Sequence, residues 1–479
     1  MPGGGLPNQG PQYIFIPLVS HGWAIGVLFI LHILVVAFIM GTAWILVYTG
    51  SRPATSAFQR HERFTKTMAL WLEVTYSMGA TLAVFAVIVI LGLFPRYFSV
   101  LVSTLTIPIA VAFAAWLVQI LTLLLYYYLF DKLRPQHRAL HQSIIVLYSI
   151  AETTFIVMIS LFTAYQVTPP ATPTLTAAVS NPTWFPETLH RVAGNLSYSG
   201  YLIALWGAWR SFRKRRTGTS VDKAYYHWVG HLGFLWGIGW ELAQLPIGTY
   251  YVLAIQRAGP ETYAKMMLQA GTSAEWLLQI LLVAILFVLG DLYMWASVRA
   301  AVAEGRGRRA LRDVRQLAPV GPRTPLAAQQ QEPAAQAAQT AELGEMLPAG
   351  VEPPRRLERF AERWTRWGLF VLAADLVLAV IPSGVPVIGS MNAKWVALGI
   401  FLAWSLISLV LYLSLSRHWA WGNMAPAARW ALMLAGLTVT LLMVTMGTIR
   451  YTNPQTSYIE HQVPLPPVRV VQPSLEPQP

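Results

Sequence analysis

The sequence predicts an all-α protein, a polytopic membrane helical bundle of about ten transmembrane helices. Two observations lead to this fold class. The chain of 479 residues is 55% hydrophobic and only 11% charged, whereas a soluble domain is on average about 45–50% apolar and about 25% charged. In addition, ten segments are apolar over about the 20 residues that a helix needs to cross a bilayer. These segments are 22–49, 67–95, 100–130, 142–166, 187–209, 225–253, 266–297, 364–382, 395–415 and 430–448.

Basic residues are concentrated in alternate connections between these segments. Of the 34 Lys and Arg residues, 27 lie within or beside the connections that follow odd-numbered segments. Positively charged loops of membrane proteins usually stay in the cytoplasm. The pattern therefore predicts a multi-pass protein of the bacterial or archaeal cytoplasmic (inner) membrane, with the N-terminus outside. It also accounts for most of the net charge of +13 without nucleic acid as a partner.

The spacing of the segments divides the chain into five regions. A low-complexity stretch that begins at Pro325 predicts a partly disordered cytoplasmic linker between a seven-helix block and a three-helix block. The regions are an N-terminal outer segment at 1–21, a seven-helix domain at 22–297, the linker at 298–363, a three-helix C-terminal membrane domain at 364–448 and a Pro-rich outer tail at 449–479.

Ionisable side chains inside the predicted spans are candidates for function, since a charge at the bilayer centre costs at least ~2.5 kcal/mol. The sequence contains no cysteine, which excludes iron–sulfur clusters and covalently attached c-type haem, so that a metal would rest on His, Met or carboxylate. The candidates are His32, Glu73, Glu152, Glu241, Glu275 and Asp375 within the spans, and His190, His227 and His231 near span ends.

Histidines on the first and sixth predicted helices have alternative interpretations. His32 interrupts an apolar run, and its imidazole is either a haem ligand or a core side chain bonded to a neighbouring helix. His227 and His231 are four residues apart and therefore share one helical face. That spacing suits a metal or a quinone headgroup, and it equally suits anchoring at the membrane interface.

His190 and a methionine pair predict a haem near the outer surface. Gly194 and Ser197 lie on the same face of the predicted helix as His190. Small residues there allow the close backbone approach that a flat porphyrin needs, and they equally allow ordinary helix packing. Lys265–Met267 open the seventh span on the same outer side, and a thioether is a recognised axial haem ligand. Most methionines only fill the core, so the residues alone leave two alternatives. One is a haem ligated by His and Met, with Lys265 available to a haem propionate, and the other is ordinary helix packing.

Taken in order, these residues resemble subunit I of the cytochrome bd quinol oxidases. That family carries a haem-ligating His on its first helix, a low-spin haem His at the outer start of its fifth, and the partner Met two residues after a basic residue at the start of its seventh. The resemblance implies that Met267 rather than Met266 is the ligand. It also implies haem b, in one copy or in two or three, and quinol as a reactant. It covers about residues 20–300 and rests on Leu31-His32-Ile33, Leu189-His190-Arg191 and Lys265-Met266-Met267.

The sequence departs from that family where oxygen is reduced. The family has two glutamates on its third helix, whereas this chain has no Asp or Glu within 97–130, and the corresponding positions fall near Val111 and Gln119. The family's Gly-Arg-Gln-Pro-Trp signature is absent, the high-spin haem glutamate of its eighth helix has no convincing counterpart, and its long quinol loop is short here. Glu73 and Glu152 are the candidates to replace the missing carboxylates in a proton relay.

Three functions are consistent with these residues. The first is a membrane cytochrome b in a respiratory chain. It would transfer electrons between quinol and a partner, which would be another membrane subunit, a periplasmic cytochrome c or a redox enzyme. The second is an oxygen-reducing quinol oxidase with relocated carboxylates. The third is a haem-free proton or solute transporter, or a membrane anchor, in which buried acids have the functional role.

Overall fold

The computed structural model describes residues 21–52, 59–93, 95–168, 170, 174–267, 270–317, 355–380, 391–416 and 421–452. Every regular element in these ranges is an α-helix. Ten of the helices are long, and each corresponds to one of the ten predicted spans. The predicted fold class, a helical bundle of the kind found in multi-pass membrane proteins, is confirmed for this part of the chain.

The helices are numbered in chain order. The long helices are α1 (His21–Gly50), α2 (Gln59–Leu93), α4 (Thr106–Tyr128), α6 (Arg138–Val167), α8 (Trp184–Arg213), α9 (Ser220–Ala258), α11 (Ala270–Leu317), α12 (Arg355–Val380), α13 (Met391–Ser416) and α14 (Pro426–Thr452). The short helices are α3 (Pro95–Thr104), α5 (Phe130–Gln136), α7 (Leu175–Val179) and α10 (Pro260–Met267).

Two helix boundaries differ from the predicted spans. The single predicted span 100–130 is divided, because α3 ends at Thr104 and α4 begins at Thr106. Pro108 explains the break, since its ring would clash with the carbonyl group of Thr104 in a continuous helix. The second difference concerns Lys265–Met267, which end the short helix α10 instead of opening the seventh long helix.

Six of the described helices are long and apolar enough to cross a membrane by length and composition alone, namely α1, α2, α4, α6, α11 and α14. Helices α8 and α9 have 30 and 39 residues but contain no 18-residue stretch of comparable hydropathy. Helix α8 packs against α1, α6, α9 and α14. Its neighbours therefore shield its polar side chains from lipid, which is the usual environment of polar groups in membrane proteins.

Helices α8 and α9 are antiparallel and approach closely because glycines face each other. A Cβ atom added to Gly200 would lie 2.3 Å from the nitrogen of Gly237, and one added to Gly207 would lie 2.5 Å from the nitrogen of Gly230. The Ser197 hydroxyl donates to the Gly237 carbonyl oxygen at 3.0 Å. Ser197, predicted to border a porphyrin, thus contributes here to a small-residue helix interface.

Ion pairs join the helices at the end of the bundle where α1, α4 and α8 end and where α2, α6 and α9 begin. We call this the basic end, because the predicted basic connections meet there. His190 lies at the opposite end, near the start of α8. The ion pairs are Arg134–Glu62 at 2.8 Å, Arg138–Glu62 at 3.2 Å, Arg63–Asp222 at 3.0 Å and Lys66–Asp131 at 2.7 Å.

Candidate functional site

His190 lies in the second turn of α8, and its half-buried side chain packs against α9. Gly248 on α9 makes room for the imidazole, since a Cβ atom at that position would lie 3.4 Å from His190 Nδ1. The ring of Tyr251, one turn further along α9, has its centroid 5.6 Å from that of the imidazole. Helix α9 therefore presents a glycine and an aromatic ring to His190.

Gln244 on α9 is the direct polar partner of His190. Its side-chain nitrogen donates to the His190 carbonyl oxygen at 2.9 Å and lies 2.8 Å from His190 Nδ1. A carbonyl oxygen can only accept a hydrogen bond, so the bond to the His190 carbonyl oxygen shows that the NH₂ group of Gln244, and not its oxygen, faces His190. Nδ1 then accepts the second N–H, and the neutral imidazole carries its proton on Nε2. Gln244 Oε1 is buried without a hydrogen-bond partner.

The surroundings of His190 fit a haem ligand after one rearrangement. A porphyrin needs close backbone approach, and Gly194 on α8 and Gly248 on α9 both lack a side chain on this interface. The iron needs a free lone pair on a ring nitrogen. In this arrangement the lone pair of Nδ1 accepts from Gln244, and Nε2 carries the proton. An unsatisfied buried acceptor such as Gln244 Oε1 costs about 1–3 kcal/mol. Turning Gln244 away would expose that oxygen to other donors and release the imidazole.

Met267 is the last residue of α10, and its side chain lies outside the described residues. The backbone nevertheless places α10 at the same end of the bundle as His190, because α9 ends at Ala258 and α10 begins at Pro260. The contact between the two proposed ligands stays a prediction. The side chains of Lys265, Glu275 and Asp375 also lie outside the described residues.

His32 on α1 is half-buried and is bonded to α2. Its Nδ1 atom lies 3.2 Å from the Gly79 carbonyl oxygen, so Nδ1 must be the donor. In a neutral ring the lone pair is then on Nε2. This is the tautomer of metal-binding histidines whose other nitrogen is held by a backbone carbonyl. The bond is compatible with both interpretations of His32.

Glu73 on α2 and Glu152 on α6 face a common polar cluster in the middle of the bundle. Glu152 is buried, and Glu73 has a buried Oε2 atom without a hydrogen-bond partner. Both carboxyl groups lie within electrostatic range of the hydroxyl groups of Tyr76 and Tyr148. The two tyrosine rings meet edge to face, with centroids 6.1 Å apart. The tertiary structure thus places both predicted relay residues near the same two tyrosines.

Gln119 on α4 completes this cluster. The Tyr76 hydroxyl donates to Gln119 Oε1 at 3.3 Å, and Gln119 Nε2 donates to the Ala151 carbonyl oxygen at 3.2 Å. Gln119 stands near one of the positions where the resemblance leads us to expect a glutamate. A neutral amide therefore occupies that position, and it is linked to the two glutamates through Tyr76, with which both carboxyl groups interact electrostatically. We call Glu73, Tyr76, Gln119, Tyr148 and Glu152 the mid-bundle polar cluster.

Two further buried carboxyl groups lie on neighbouring parts of the bundle, Glu241 on α9 and Asp291 on α11. Tyr201 donates to Glu241 Oε2, and Ser405 donates to Asp291 Oδ2 at 2.9 Å. The two carboxyl groups lie within electrostatic range of each other. Asp291 was not among the predicted candidates. It lies close to the predicted span end at 297, where a carboxylate is ordinarily solvated, and only helix packing reveals its burial.

His227 and His231 lie on α9 toward the basic end. His231 Nδ1 is 2.5 Å from the Tyr412 hydroxyl, which is 2.9 Å from the Tyr293 hydroxyl. The Trp421 ring contacts both imidazoles, with centroid distances of 5.2 Å and 4.7 Å. Within the ranges that the structure describes, no group of three or more His, Asp or Glu side chains is arranged to hold a metal ion.

Comparisons with known proteins find similarity among solved structures. No protein-family model and no curated protein matches this sequence. Among solved structures, the chain is similar to the bd oxidase from Geobacillus thermodenitrificans, with a TM-score of 0.44 and 12% sequence identity. The similarity covers 90% of this chain and 99% of that one. Similarity at this level does not establish a common fold, so the proposed function is derived from the residues of this chain.

Proposed function

We propose that the chain is a membrane cytochrome b that transfers electrons between quinol and a partner redox protein, with a haem b held by His190 and Met267. The observation that carries the proposal is the position of His190. Its imidazole packs between two helices at glycine positions, beside Gln244, whose Oε1 atom has no hydrogen-bond partner, at the end of the bundle where α10 begins. When bound, the haem supplies one-electron chemistry that no side chain here provides.

The neighbouring residues have separate roles in this proposal. Gly194 and Gly248 leave space beside the imidazole. Gln244 forms a hydrogen bond with the imidazole when no haem is bound. Lys265 pairs with a haem propionate, since a charge-assisted contact of this kind is about twice as strong as a neutral one. His32 is the proposed ligand of a second haem, because its Nδ1–H is engaged by a carbonyl group and its Nε2 keeps a lone pair.

The proposal also covers organisation and placement. The haem-binding domain is 22–297, the cytoplasmic linker is 298–363, and a further membrane domain follows at 364–448. The basic end faces the cytoplasm, as the positive-inside rule requires. His190 then lies toward the outside, so the partner is another membrane subunit, a periplasmic cytochrome c or a redox enzyme that reaches the outer surface.

The first test is a reduced-minus-oxidised optical spectrum of the purified full-length chain, together with a haem count per chain. We expect b-type haem bands and at least one haem per chain. A well-folded helical protein that shows no haem bands after expression in haem-replete cells would rule out both the electron-carrier and the oxidase functions. The haem-free transporter or membrane anchor would then remain.

A second function, oxygen reduction by quinol, is favoured by the mid-bundle polar cluster. Reduction of oxygen consumes protons, which must reach a closed site through titratable or hydrogen-bonding side chains. Glu73 and Glu152 come from two helices and both interact electrostatically with Tyr76, whose hydroxyl donates to Gln119. They are the proposed substitutes for the carboxylates that the third helix lacks.

Glu152→Gln is expected to lower quinol-driven oxygen uptake if the chain has this second function. The expected fall is roughly tenfold, less than the 10²-fold or more typical of losing a sole proton-transfer group, because Glu73 remains nearby. Oxygen uptake with a quinol substrate measures the effect, and the haem spectrum should stay unchanged. Glu241→Gln, which changes a buried carboxyl group outside this cluster, is the matched control. A haem-containing wild-type protein that consumes no oxygen would exclude the second function and leave the first.

A further inference from the structure

A cavity of about 310 Å³ lies at the basic end, between α1, α2 and α9. Its polar lining includes the side chains of Arg52, Arg60, His61 and His231, and part of its apolar wall is formed by Trp228 and Leu232. No Asp or Glu is among the lining residues that the structure describes. The volume is at the lower end of the roughly 300–1,000 Å³ of small-ligand sites. The cavity is therefore basic and large enough for a small polar group.

Arg52 and Arg60 differ from their neighbours at this end of the bundle. Three nearby arginines contact a carboxylate at 3.2 Å or less. Neither Arg52 nor Arg60 forms an ion pair with any described residue, and the Nε atom of each is buried without a hydrogen-bond partner. Their guanidinium groups instead lie over aromatic rings, 4.5 Å from the centre of Tyr48 and 5.2 Å from the centre of Trp228.

Two partly buried cations that share a cavity without a counter-charge are unfavourable, because each loses hydration and the two repel each other. An anion in the cavity would remove this cost. A phosphate group fits best, since guanidinium groups bind phosphate through two parallel hydrogen bonds. A neutral quinone headgroup would leave both charges uncompensated. His231 can contribute a further contact through Nε2, because Tyr412 occupies its Nδ1.

We propose that this cavity binds the phosphate ester headgroup of an anionic phospholipid through Arg52 and Arg60. The site lies at the ends of predicted membrane-crossing helices, at the level where headgroups are found, and basic pockets between such helices suit acidic lipids. Tyr48, 37% exposed, and Leu235 form an apolar border through which a lipid can enter. A soluble phosphate compound shares the same chemistry and is distinguished by experiment. The inference does not depend on the presence of haem.

The test is a lipid titration of the full-length protein in detergent, followed by native mass spectrometry. We expect phosphatidylglycerol to bind and to raise the Tm, and phosphatidylcholine to do neither. Arg52→Gln combined with Arg60→Gln should weaken phosphatidylglycerol binding at least tenfold. The matched control is Arg215→Gln combined with Arg216→Gln, which removes the same charge from exposed positions beyond α8. That control should retain the wild-type affinity.

Three results would overturn the proposal. They are unchanged lipid binding in the Arg52 and Arg60 double variant, an equal loss of binding in the control, and inorganic phosphate that raises the Tm as much as the lipid does. The single variants Arg52→Lys and Arg60→Lys keep the charge and lose the paired hydrogen bonds. They should each bind the lipid more weakly than the wild type does, and they test the same site if the double variant does not fold.

Discussion

Replacement of His190 by alanine is expected to remove the proposed low-spin haem signal from the reduced-minus-oxidised spectrum, while the chain should still insert into the membrane. The imidazole is the proposed ligand from α8, and no other His, Met or Lys on α8 can replace it. Met267→Leu should have the same spectroscopic effect, because leucine keeps the apolar volume and loses the sulfur. The measurement is the optical difference spectrum at equal protein concentration, with membrane insertion checked by fractionation.

Neighbouring substitutions provide the controls for this result. Met266→Leu changes the adjacent methionine and should leave the low-spin signal intact, since the resemblance selects Met267. Gln244→Leu removes the hydrogen-bond partner of His190 and leaves both ligands present, so the signal should also persist. A low-spin signal that survives in both His190→Ala and Met267→Leu would show that the haem ligands lie elsewhere. His32 would then be the next residue to replace.

Gly200→Ala is expected to destabilise the bundle by about 1–3 kcal/mol or more, the range typical of overpacked interfaces. The new Cβ atom would lie 2.3 Å from the Gly237 nitrogen and 2.8 Å from the Gly233 carbonyl oxygen, so that α8 and α9 must separate. Backbone atoms cannot turn aside as a flexible side chain does. Thermal unfolding of the purified protein, followed by the loss of helical circular dichroism, measures the change in Tm.

Gly239→Ala is the matched control. Gly239 lies on α9, two residues beyond Gly237, and a Cβ atom added there would have no neighbour within 4 Å among the described residues. Alanine is favoured over glycine inside a helix by about 1 kcal/mol, so this control should unfold at the same temperature or a higher one. Equal losses of Tm in Gly200→Ala and Gly239→Ala would contradict the close packing of α8 on α9.

Hydropathy along the chain was sufficient to predict the fold class and the approximate position of each long helix. Span 22–49 corresponds to α1 at His21–Gly50, and span 142–166 lies within α6 at Arg138–Val167. Hydropathy over about 20 residues predicts such helices because the bilayer imposes a local requirement on every crossing segment. The helix break at Leu105 could also have been predicted from the local sequence, because Pro108 interrupts a continuous helix. Averaging hydropathy over a window does not detect this break, because the segment is apolar on both sides of it.

Which side chains meet was established only by the packing of the helices. Glu73 and Glu152 share Tyr76 and Tyr148 because α2, α4 and α6 lie together, and Gln244 reaches His190 because α8 and α9 are antiparallel and close. Periodicity places a residue on a face of its own helix but does not say which helix covers that face. That choice depends on complementary small and large side chains from segments far apart in the chain, so the partners of His190 became known only from the tertiary structure.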